Sequence, residues 1–72
     1  MKYIVKLDNE QVEFDNEKDA LGCAYEQYLW FNKQNHNMFA SNQYFYELET
    51  AIKLISEMNK MFTTNLSIEV QP

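Results

Sequence analysis

The chain has 72 residues, enough for one domain spanning 1–72, and at this length folding buries only about 60% of the surface of the unfolded form. Hydrophobic residues make up 46% of the sequence, enough for a core and too many for a disordered tail. The net charge is −5 and all six basic residues are lysines, which counts against direct nucleic-acid binding and against an anionic membrane surface, and favours a basic partner.

Taken in order, Tyr3, Val5 and Leu7 alternate with Lys2, Ile4 and Lys6, the period of a half-buried strand. Asp8, Asn9 and Glu10 supply turn chemistry, and Val12 and Phe14 alternate with Gln11 and Glu13 in a second strand. The resulting hairpin would set Lys6 beside Glu13 on its outward face. Asp15 or Asn16 is the expected cap of a first helix, with Glu17 and Asp19 at its positive dipole end. Leu21, Ala24, Tyr25, Tyr28, Leu29 and Asn32 share one face of it. Gly22 should cost roughly 1 kcal/mol relative to Ala there. It either admits a close neighbour or marks a later helix start.

Residues 35–42, with His36, Asn37 and Ser41, read as the loop of a helical hairpin. A second helix is expected from Asn42 to Phe62, capped by Ser41 or Asn42. Leu48, Ala51, Ile52, Ile55, Met58 and Phe62 form its apolar side, with Ile52 and Ile55 at the centre. Thr63, Thr64 and Asn65 break the pattern, and Leu66, Ile68 and Val70 alternate in a last strand that ends at Pro72. The expected fold is α+β in two layers: a three-stranded antiparallel sheet, order β-β-α-α-β, with a helical hairpin packed on one face. Whether the last strand lies beside the first or the second is left open.

A single cysteine cannot form an internal disulfide, and the N-terminus enters a strand without a signal-peptide apolar run. The longest apolar run, Tyr28 to Phe31, is far too short to cross a bilayer. A cytoplasmic protein with no membrane contact is expected. Cys23 and His36 are the lone cysteine and histidine, one early in the first helix and one past its far end. That separation predicts neither a nucleophile–base pair nor a metal site, so no catalysis and no cofactor is expected.

Two features suggest a binding role. Asp8, Glu10, Glu13, Asp15, Glu17 and Asp19 all fall within residues 8–19, where Lys18 is the one base. Spaced carboxylates of this kind can imitate a run of phosphates or meet a basic groove. Each also has an ordinary local reading as a turn, cap or first-turn residue. Trp30 points away from the apolar face of the first helix, and Tyr46 does the same on the second. With Phe39 and Met38 in the intervening loop, these aromatics would form a contact surface at the tip of the hairpin, unless the loop folds back over them.

In being short, acidic, arginine-free and rich in Asn and Tyr, the chain resembles the small phage-encoded inhibitors of bacterial defence, anti-CRISPR proteins among them. The resemblance lies in composition and architecture. It implies a protein that occupies the surface of a larger basic partner or nucleoprotein complex, through the acidic stretch, the aromatic tip, or both. The other reading is a homodimeric regulatory or antitoxin-like protein, with Trp30 and Tyr46 at the dimer contact.

Overall fold

A computed structural model describes residues 1–37 and 44–72. Its elements follow the expected order: β1 (Lys2–Lys6), β2 (Gln11–Phe14), α1 (Glu17–Gln34), α2 (Leu48–Phe62) and β3 (Ser67–Gln71). The sheet is antiparallel throughout with strand order β2-β1-β3, so the last strand lies beside the first. The β1–β2 turn closes with the Leu7 N–H donating to the Glu10 carbonyl at 2.8 Å.

Register assigns the two faces. Tyr3 and Val5 align with Phe14 and Val12 on one side and with Val70 and Ile68 on the other, forming the face beneath the helices. Val5 and Ile68 join Ala20, Leu21, Ala24 and Tyr28 of α1, Ala51, Ile55 and Met58 of α2, and Phe45 and Leu66, in a single core. The opposite face carries Ile4, directly across from Glu13 and from Glu69. Lys6 aligns with Gln11, not Glu13, so the expected Lys6–Glu13 pairing does not form. Lys6 reaches Glu69 at 3.1 Å, and Lys2 reaches Glu13 at 3.7 Å.

Asn16 is the cap of α1: its Oδ1 accepts from the Asp19 N–H and its Nδ2 donates to the Asp19 carboxylate, both at 2.9 Å. α2 starts at Leu48, six residues later than the periodicity suggests, and its cap, Glu47, makes no side-chain capping bond. Ser41 and Asn42, the expected caps, lie outside the described residues. Tyr44, Phe45 and Tyr46 are not helical; the Phe45 ring is buried against Tyr25 and Tyr28, with centroids 5.1 Å away in each case.

The two helices are not an antiparallel hairpin; they run in the same direction. Phe45 and Tyr46, just ahead of α2, share a hollow with Glu17, Lys18 and Leu21 at the start of α1. Near the other end, the Asn32 side-chain nitrogen lies 3.3 Å from the Met58 sulfur. The sheet dictates this. β2 and β3 both oppose β1, so they point the same way, and α2 must deliver the chain to the end of the sheet opposite the one where α1 begins. Asn32 is buried at the far end of the pair, where its Nδ2 donates to the Tyr28 carbonyl and its Oδ1 accepts from Asn37 Nδ2, each at 2.7 Å.

Candidate functional site

All six acids of residues 8–19 are exposed. The fold does not gather them into a cluster. Asp8 and Glu10 sit at the turn end of the hairpin, Glu13 lies within β2, and Asp15, Glu17 and Asp19 stand at the other end, where the chain enters α1. Glu10 and Asp15 are five residues apart along extended chain, about 17 Å. β2 is an edge strand, so Glu13 lies on one rim of the sheet, with the other five carboxylates beyond its two ends. Glu13 also meets Lys2, and Asp19 is engaged by Asn16. Asp8, Glu10, Asp15 and Glu17 have no basic side chain within ion-pair distance among the described residues. Six acids against Lys18 give this stretch a charge of −5, and the rest of the sequence, five acids and five lysines, is neutral.

The aromatics do not form one surface. Trp30 is 53% exposed on the outer side of α1, its ring edge-on to Phe31 at 5.2 Å. Tyr46 is 76% exposed, but it precedes α2 instead of lying on it. It packs on Tyr44 at 5.1 Å near the first turn of α1. Glu17 and Trp30 are 13 residues apart on α1, about 20 Å. The shared direction of the helices thus places Trp30 and Tyr46 toward opposite ends of α1, and the expected aromatic tip is not formed by this pair. Phe39 lies outside the described residues.

A feature that the hydrophobic pattern hides is a cleft of about 360 Å³ between α2 and β3, lined by Ile52, Ile55, Ser56 and Asn59 above and Leu66 and Ile68 below. Asn59 ties its two sides together: Nδ2 donates to the Leu66 carbonyl at 2.8 Å, and Oδ1 accepts from the Leu66 N–H at 3.3 Å and from Thr64 Oγ1 at 2.9 Å. Ile52, expected at the centre of the core, is 46% exposed on the rim of this cleft. The core-facing arc of α2 is centred on Ala51, Ile55 and Met58, which turns Ile52 to the flank. An Asn in the last turn of a helix, seven residues before the residue that leads into a strand, is the sequence signal for such a clamp.

Burial pushes the Cys23 thiol above its ordinary pKa, and the Glu26 carboxylate pushes in the same direction, so the thiol stays protonated near neutral pH. His36 follows α1 in left-handed backbone, about 20 Å of helix from Cys23. Among the described residues no three His, Cys, Asp or Glu side chains stand close enough to share a metal ion. No described helix is long and apolar enough to cross a membrane. No family model, no curated protein and no solved structure matches the chain.

Proposed function

We propose that this chain is a non-catalytic binding protein that blocks a larger basic partner by laying its acidic stretch in a cationic groove, as the phage-encoded inhibitors it resembles would do. The observation that carries this reading is the concentration of the entire net charge in residues 8–19, from the hairpin turn through the edge strand β2 to the start of α1, with every carboxylate there exposed. Like charges carried by one stretch add their fields over the approach path of a partner and raise the association rate at low salt. A nucleic-acid-binding groove is the natural complement, since it already accepts a line of negative charge.

The test compares the wild-type chain with Asp8→Asn/Glu10→Gln/Asp15→Asn as baits in a host lysate. Glu13 is left intact because it pairs with Lys2. The reading predicts a basic protein held by the wild type, released by raised salt and by competing duplex DNA, and lost from the variant. Retention of the same proteins by both baits with the same salt dependence would defeat it.

A further inference from the structure

We infer that the outer edge of β3, together with the neighbouring flank of α2, is a pairing surface for a second copy of this chain. This surface is independent of the acidic stretch and lies at the edge of the sheet opposite β2.

The phase of the main chain sets it up. Leu66 turns both its N–H and its carbonyl to the Asn59 side chain, away from β1. Main-chain groups alternate sides along an extended strand, so Ile68 and Val70 direct theirs to the same outer edge. The hairpin fixes this phase independently. Leu7 N–H donates on the β2 side, so Lys2, Ile4 and Lys6 are the β1 residues that bond to β3, through Gln71, Glu69 and Ser67. No described strand pairs with the outward groups of Ile68 and Val70. The strand Ser67–Gln71 also lacks the lysine, proline or bulge that usually guards an edge.

The surface is complementary to itself. A second β3, antiparallel and centred on Glu69, exchanges main-chain bonds between Ile68 of each copy and Val70 of the other. The two Glu69 carboxylates then meet near the axis, each already neutralised by Lys6 at 3.1 Å. From Leu66 to Glu69 is about 10 Å of strand, which matches about seven residues of helix counted back from Asn59. That is the level of Ile52, so the two exposed Ile52 side chains meet across the axis above the joined sheet. Glu49 and Lys53 flank Ile52 on α2, and antiparallel packing sets Glu49 of each copy against Lys53 of the other. A copy approaching the β2 edge meets the acids of residues 8–19, whereas the rest of the sequence, β3 included, carries no net charge.

Sedimentation equilibrium over micromolar to millimolar protein tests the pairing. The mass should rise from 8.7 kDa toward twice that value. Val70→Pro removes an outward N–H and leaves the β1 ladder intact, so it should weaken the dimer about tenfold or more with an unchanged circular dichroism spectrum. Glu49→Lys and Lys53→Glu should each weaken it, and together restore it. If Val70→Pro does not fold, hydrogen exchange at the Ile68 and Val70 amides of the wild type decides, because protection must rise with concentration. A mass of 8.7 kDa throughout, amide protection independent of concentration, or a dimer indifferent to these changes would overturn the inference.

Discussion

The hydroxyl of Tyr44 lies over Gly22 of α1, so close that a Cβ at residue 22 would stand 2.8 Å from it. The glycine is therefore a seat for the segment that precedes α2, and the Tyr44 ring is held there against Tyr25 at 4.9 Å. Gly22→Ala should gain about 1 kcal/mol of helix propensity and lose a similar amount by displacing the hydroxyl, for little net change. In a Tyr44→Phe background the obstruction is gone, and the same substitution should stabilise by about 1 kcal/mol. Urea denaturation of the four proteins closes this cycle. Equal effects in both backgrounds would mean that the two residues do not touch.

Ile55 and Ile52 separate the core side of α2 from its flank. Ile55 is 3% exposed and Ile52 is 46% exposed. Ile55→Ala should cost about 2–5 kcal/mol, a large part of what a domain of this size possesses. Ile52→Ala should cost less than about 1 kcal/mol when measured on dilute, monomeric protein. Thermal melts of both variants check the assignment, and reversed magnitudes would rotate α2 by a third of a turn.

Thr63 ends α2 with φ 54° and ψ 30°, left-handed backbone that a β-branched residue rarely adopts. Its hydroxyl donates to the Phe62 carbonyl at 2.6 Å. Glycine suits this cap position, and the relief of strain should exceed the cost of a more flexible unfolded chain. Thr63→Gly is expected to stabilise by about 0.5–1 kcal/mol, a few degrees in Tm. A lowered Tm would show that the threonine hydroxyl outweighs the strain.

Cys23 should alkylate slowly with iodoacetamide at pH 8 in the folded protein and faster in urea. The folded thiol has a raised pKa, so its rate–pH profile should lie to the alkaline side of the unfolded chain's. Burial is the larger cause and Glu26 the smaller. Glu26→Gln removes a negative charge that disfavours the thiolate, so it should move the folded profile part of the way back toward lower pH. Superimposed profiles for folded and unfolded protein would contradict this environment for the thiol.

The strands, the Asn16 cap and the outward Trp30 were legible because each rests on local chemistry: a period of two, a side-chain oxygen three residues from an N–H, a helical wheel. The start of α2 was not. Phe45 lies three residues before Leu48 and fits the helical phase, but its buried ring is held by Tyr25 and Tyr28, which no local pattern reveals. The alternation at Tyr44, Phe45 and Tyr46, with the middle ring buried, was the available clue to extended chain. The direction of α2 depends on the placement of β3 beside β1, a non-local pairing. The separation of Trp30 and Tyr46 follows from that same topology, whereas the acids are spread by the length of β2 itself.

Ile4 gives the last prediction, because it is only 3% exposed on the face of the sheet that carries no helix. Glu13 and Glu69 stand across from it on the two neighbouring strands, and Lys2 and Lys6 lie two residues to either side along β1. The ion pairs Lys2–Glu13 and Lys6–Glu69 run diagonally on this face. Exposed pairs of this kind contribute only about 0–1 kcal/mol by charge, and the prediction is that their methylene stems matter more, as apolar cover for the isoleucine. Ile4→Ala should then cost about 2–5 kcal/mol, as a core residue would. Lys2→Met keeps a stem of similar length and should be nearly neutral, whereas Lys2→Ala uncovers one side of Ile4 and should destabilise more. High salt screens the charges and leaves the stems in place, so it should not reproduce the effect of Lys2→Ala. Chemical denaturation in urea at low and high salt makes the comparison. If salt destabilises the wild type as much as Lys2→Ala does, or if Lys2→Met is as damaging as Lys2→Ala, then charge and not apolar cover holds this face together.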